Sequence, residues 1–309
     1  MSATRREPWI DLAVVAAGCL IAWLAYFGPL LAGPTDVPGD LGDARFNIYV
    51  LEHVFQWLRG DEVSLLSPGM FWPYPFALAF SDTHAGTAWV YALLRTGGLD
   101  QYQSFAIWVV LGYLATYAAA YHVARKLDLG PLVAGAFAFA FAFSLPAISQ
   151  VGHAQLAWRV AVPYCFLLTQ RYAEGGAPRD LLAFVVAFSI QTLINVYLGV
   201  FAFMLCLLLL AANAVARDGL APRAWWRRAA GSARRFGRLS GADWIWVAAA
   251  AVALAAFAAV MGFHAWVARL YGLSRSWDEI GLMVPRLQSY LLMDSLPYWE
   301  PVSRSLPDV

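Results

Sequence analysis

Residues 181–214 read LLAFVVAFSIQTLINVYLGVFAFMLCLLLLAANA, 34 positions without one charged side chain. As a single helix rising 1.5 Å per residue this run would reach about 50 Å. The hydrocarbon core of a bilayer is only about 30 Å thick. The stretch therefore reads as two membrane crossings, 181–195 and 198–214. The break falls at Asn195-Val196-Tyr197-Leu198-Gly199, where a polar residue and a glycine interrupt the apolar run. The rest of the chain agrees. Of 309 residues 61% are hydrophobic and 13% charged, against roughly 45–50% and 25% in soluble domains. That charge cannot cover the surface of a soluble enzyme, and so apolar a chain is not disordered. The fold class is all-α, a polytopic transmembrane helix bundle. The net charge of +1 points to no nucleic-acid partner. Cys19, Cys165 and Cys206 lie in separate apolar runs, which excludes a disulfide framework or zinc motif.

Further spans are expected at 10–32, 104–123, 132–148, 156–172 and 244–270, about seven to eight in all. The eighth is in question because 85–94 is half a span long and suits a re-entrant or interfacial piece, and the charge bias favours the seven-span scheme in which it does not cross. Charge orients them. Residues 217–238 carry seven Arg and one Asp; Arg5, Arg6, Arg125, Lys126, Arg171 and Arg179 mark three other basic segments. The positive-inside bias assigns all four to the cytoplasm, with a cytoplasmic N-terminus and an Arg-rich loop at 217–241. The loop 33–82 is the reverse, with seven acids against Arg45 and Arg59, and is expected outside. A membrane domain over 1–270 would then be followed by an outer-side segment, 271–309, that reads as incomplete.

Within the outer loop, residues 45–59 have the spacing of an amphipathic surface helix. Arg45, Glu52, Gln56 and Arg59 form its polar stripe; Phe46, Val50, Val54, Trp57 and Leu58 form its apolar stripe. Asp43 stands at the N-cap position and Gly60 at the C-terminal stop. The strip Phe71-Trp72-Pro73-Tyr74-Pro75-Phe76 suits headgroup depth.

The outer polar groups are Asp40, Asp43, Arg45, Glu52, His53, Asp82, His84, His153, Gln155 and Tyr197. A carboxylate there can deprotonate an acceptor hydroxyl or hold a divalent cation (Mg or Mn) against a lipid phosphate, and an arginine can neutralise phosphate oxygens. Each has a plain structural alternative: a helix cap for Asp43, a turn for Asp40, a solvated helix face for Arg45 and Glu52, an interfacial hydrogen bond for His153. The three outer histidines lack metal-ligand spacing.

The order Gly39-Asp40-Leu41-Gly42-Asp43-Ala44-Arg45-Phe46-Asn47, Leu51-Glu52-His53, Phe71-Trp72-Pro73-Tyr74-Pro75, Ala79-Phe80-Ser81-Asp82 and Gly152-His153-Ala154-Gln155-Leu156 resembles bacterial membrane proteins of the C-type (GT-C) glycosyltransferase superfamily, over roughly residues 1–215. The resemblance implies a protein of the bacterial inner membrane. It would transfer a sugar from a polyprenyl-phosphate donor to a glycan, lipid or protein acceptor on the outer face. Asp43 or Asp40 would be the catalytic or metal-holding carboxylate and Arg45 a phosphate contact. Glu52, His53, His153, Gln155 and Tyr197 complete the candidate substrate-binding set. A non-catalytic membrane scaffold or assembly partner stays open as an alternative. A transporter is less well matched, because mid-span charge is nearly absent and no internal repeat is visible.

Overall fold

A computed structural model of the chain describes residues 8–28, 37–39, 42–144, 147–148, 152–284, 301 and 304–305. Regular structure among them is entirely helical. Four helices are long and apolar enough to cross a membrane: Pro8–Phe27, Gln101–Lys126, Val196–Asp218 and Gly241–Tyr271. The chain divides into two compact units, Met1–His264 and Ala265–Val309.

In the first unit the pillar is α4 (Gln101–Lys126). Its start is set by a capping box: the Asp100 carboxylate accepts from the backbone N–H of Tyr102 and Gln103, and the Gln103 side chain accepts from Asp100 N–H. Asp100 thus satisfies donors that a helix start leaves bare. Along α4, Phe105, Trp108 and Tyr117 are fully buried. Tyr117 faces α1 (Pro8–Ala22, continued by a π-turn at Trp23–Phe27) and α5 (Pro131–Phe143), while Trp108 lies against His84 and Trp158. Inside a bilayer such contacts are held by close packing, since lipid tails are as apolar as leucine. Glycine allows that closeness: a Cβ on Gly18 would lie 2.2 Å from the Tyr117 hydroxyl. That hydroxyl donates to Val14 O at 3.2 Å. At the far end of α4, Arg125 and Tyr121 both donate to the Asp11 carboxylate, at 2.7 and 2.5 Å, and so align α1 antiparallel to α4.

Over the start of α4 lie α2 (Asp43–Arg59) and α3 (Ala88–Thr96). The stop of α2 is at Gly60, which takes φ +84° and donates its N–H to Trp57 O. The face of α2 that is buried is Ala44, Ile48, Leu51 and Phe55, spaced 4, 3 and 4 and joined to the α4 core. The expected apolar stripe is a different face: of that set only Val50 is buried, while Trp57 and Leu58 are 39% and 58% exposed. The helix has two apolar surfaces, one against protein and one outward. Glu52 is not solvated either. It takes a bidentate contact from Arg95 of α3 at 2.8 and 3.0 Å, and a hydrogen bond from Tyr91 at 2.7 Å. Helix α3, at nine residues, spans about 14 Å, too little to cross a bilayer.

The next three helices, α6 (Val162–Gly175), α7 (Pro178–Ile194) and α8 (Val196–Asp218), pack on one another. The expected span 156–172 is not one helix. Residues 154–157 form a 3₁₀ turn, 158–161 are irregular, and α6 starts at Val162. Pro163 explains this: lacking an N–H, it suits the first helical turn and no later position. Arg159 uses the gap, donating to Ala142 O at 2.8 Å. The expected break after Ile194 is present. Asn195 alone separates α7 from α8, in extended conformation, its side chain capping Leu198 N–H at 2.8 Å. The two helices meet so closely that a Cβ on Gly199 would lie 2.2 Å from Thr192 Oγ1. A basic helix, α9 (Pro222–Arg235), then leads to α10 (Gly241–Tyr271). In the second unit α11 (Trp277–Met283) is capped by Ser276, which accepts from Glu279 N–H at 3.1 Å.

Candidate functional site

The sharpest polar feature is a chain of buried and half-buried side chains drawn from four parts of the sequence. Asp82 sits just after the 3₁₀ turn Ala77–Phe80 and is 7% exposed. Its Oδ2 accepts from Asn195 Nδ2 at 2.8 Å and from Gln155 Nε2 at 3.3 Å; its Oδ1 accepts from Val196 N–H at 3.1 Å. Gln155 in turn accepts from Asn47 Nδ2 at 3.1 Å. Asn47 Oδ1 lies 2.9 Å from His84 Nε2. Because the Asn47 amide nitrogen donates to Gln155, its oxygen is the acceptor and Nε2 of His84 carries the hydrogen. One carboxylate therefore ties the segment between α2 and α3, the 152–155 turn and the α7–α8 break together.

Burial pushes the Asp82 carboxyl above its ordinary value, against the pull of its three hydrogen bonds and of the His264 imidazole nearby. All its partners are donors, so they favour the ionised form; desolvation opposes them and prevails. His264 Nε2 lies 3.1 Å from Ser81 O and brings α10 to the same loop. Burial also drives His84 down to about 4, and its Nδ1 has no hydrogen-bond partner.

Above this layer lies an exposed pair. His153 Nδ1 is 2.8 Å from Asp43 Oδ2, with the side chains 50% and 58% exposed. The geometry follows from helix periodicity. Asp43 and Asn47 are one turn apart on α2, and they meet His153 and Gln155 of a single turn. The N-cap of α2 is Gly42, so Asp43 is not the cap and its carboxylate serves His153. Such an exposed pair contributes little to stability.

Of the candidate residues, Asp43, His153 and Gln155 are brought together. Arg45 is exposed in the first turn of α2. Two residues on from Asp43, its side chain leaves the helix roughly 200° away. Tyr197, 65% exposed, stands at the start of α8 beside Asn195. Glu52 and His53 turn inward. Glu52 holds Arg95 and Tyr91, and His53 Nε2 lies 3.0 Å from Leu65 O. Burial would raise the Glu52 carboxyl, but the bonds from Arg95, Tyr91 and Gln56 and the Arg95 charge outweigh it and hold it below its ordinary value. Asp40 lies outside the described residues. Among the described residues no three of His, Cys, Asp or Glu gather to hold a metal ion, and Asp43 with His153 offers two donors.

Sequence reasoning passed over Asn47, Asn195 and the central role of Asp82. The signal for Asn47 was a polar residue on the Ala44–Leu51 face of α2; for Asn195 it was the break itself.

An apolar cavity of about 460 Å³ is lined by Gly86, Thr87, Trp158, Tyr164, Ile190 and Ile194 among others, and by neither Asp43, Asp82 nor His153. Comparison of the chain with protein-family models, with characterised proteins and with solved structures gave no match.

Proposed function

We propose that this chain is a membrane glycosyltransferase of the GT-C type, taking a sugar from a polyprenyl-phosphate donor at the outer face of a bacterial inner membrane. The observation that carries the reading is the exposed Asp43–His153 pair, whose helix and turn also supply Asn47 and Gln155 to the Asp82 network. A carboxylate–imidazole pair is a general-base arrangement. In this reading Asp43, directly or through His153, takes the proton of the acceptor hydroxyl. The acceptor oxygen bonds to the anomeric carbon, and the bond from that carbon to the lipid phosphate oxygen breaks. Arg45, on the opposite side of α2 from Asp43, does not join this arrangement.

The orientation belongs to the same proposal. Seven crossings, with the shorter helices α5, α6 and α7 completing the bundle, put the Asp82 end outside and the Arg125 and Arg217 ends in the cytoplasm. Cysteines at Glu62 and Ala233 test it in intact cells: an impermeant reagent is expected to label the first and spare the second. The chemistry is tested in proteoliposomes supplied with a polyprenyl-phosphate sugar and candidate acceptors. Asp43→Asn and His153→Gln are expected to abolish transfer without lowering thermal stability, since both groups are half exposed. Undiminished transfer by both variants would sink the reading.

A further inference from the structure

Helix α9 joins α8 to α10, and both of these are long and apolar enough to cross a membrane. Only residues 219–221 part it from α8, and residues 236–240 from α10. A chain reaches at most about 3.6 Å per residue, so α9 cannot leave the membrane surface. It carries Arg223, Arg227, Arg228, Arg234 and Arg235, has no acid, and buries no residue. Two of these arginines serve the protein. Arg228 pairs with Asp218 at 2.8 Å, and Arg235 donates to Gly175 O at the end of α6. With Trp225 and Ser232 they line a cleft of about 380 Å³ that marks the inward face of α9. At 100° per residue, Arg223, Arg227 and Arg234 fall within roughly 40° of one another on a different face. None of the three pairs with an acid among the described residues. Trp226, 76% exposed, lies about 60° to the side of this stripe.

We propose that the Arg223–Arg227–Arg234 stripe binds the phosphodiester headgroups of anionic phospholipids in the leaflet where α8 and α10 emerge. Guanidinium groups hold phosphate oxygens in bidentate fashion, and an indole beside them prefers headgroup depth. An arginine near an anionic surface is worth about fivefold in binding, so three give on the order of 100-fold. This inference rests on charge and chain length and is independent of the glycosyltransferase reading.

The test is amide hydrogen exchange, read by mass spectrometry on the full chain in nanodiscs of phosphatidylcholine alone or mixed with phosphatidylglycerol. Exchange across residues 222–235 is expected to slow at least about tenfold with the anionic lipid, as headgroup binding holds the helix down. High salt should erase the difference, because these charges are exposed. The triple variant Arg223→Gln, Arg227→Gln, Arg234→Gln should show no lipid dependence, while peptides from α4 exchange as in the wild type. Equal exchange of the wild type in both lipids would overturn the proposal, whatever the variant does. So would slowing that survives in the variant, and so would slowing indifferent to salt.

Discussion

Lowering the pH from about 7 to about 5 offers His84 a proton, and the ordinary histidine value near 6.5 says an exposed ring would take it. This ring is fully buried, with Nε2 spent on Asn47 and Nδ1 unpartnered. A second proton would sit on Nδ1, where no acceptor waits and Trp108 stands edge-on with ring centres 5.6 Å apart. Asp82, two residues back, is committed to Asn195, Gln155 and Val196. Burial accordingly holds the folded ring to about 4. Between that value and about 6.5 the unfolded chain binds more protons than the folded one, so stability falls as the pH drops through the window. One pH unit is worth about 1.4 kcal/mol, so the loss is about 2 kcal/mol at pH 5 and levels off near 3 kcal/mol below pH 4. Asp82 works in the other direction: its raised carboxyl favours folding at low pH and loses that contribution as the pH rises past its ordinary value. The difference between wild type and His84→Gln isolates the ring. Thermal unfolding in detergent micelles, measured across this range, should show a steeper fall in Tm for the wild type. Parallel curves for the two proteins would refute the assignment of His84 as a dry, neutral ring.

Asp82→Asn replaces a carboxylate that receives three donors with an amide that has one oxygen. Its NH₂ must then oppose either Val196 N–H or the Asn195 and Gln155 amides, at about 1–3 kcal/mol for the unmet donor; chemical denaturation at neutral pH measures this, and an unchanged midpoint contradicts it. Glu52→Gln leaves Arg95 without its counter-charge, and with side chains 17% and 20% exposed the cost is about 2 kcal/mol, below that of a fully buried pair. A double-mutant cycle with Arg95→Met should return part of it, and additive losses would show that the two residues do not act as a pair. Gly199→Ala puts a methyl where Thr192 Oγ1 stands 2.2 Å away, forcing α7 and α8 apart at about 1–3 kcal/mol. A Tm equal to the wild type's would mean that the helices are not that close.

What the sequence by itself determined follows from quantities that add along the chain. Thirty-four uncharged residues at 181–214 demand two crossings, because the length of a helix and the thickness of a bilayer are both known. Asn195 and Gly199 mark the break, the polar stripe of Arg45, Glu52, Gln56 and Arg59 with Gly60 announces α2, and the opposed charges of 33–82 and 217–238 give the orientation proposed here. Tertiary structure decided the rest, because partners far apart in sequence leave no periodic trace. Helix α2 has two apolar surfaces, and its own pattern cannot say which one meets α4 and which is left outward. Pro163 shortens an apolar run that hydropathy alone reads as a span, because hydropathy does not register a missing N–H. Asp82 and Asn195, 113 residues apart, carry no local sign of each other. Their roles were decided when burial removed water and left each polar atom only the partners that folding had brought within reach.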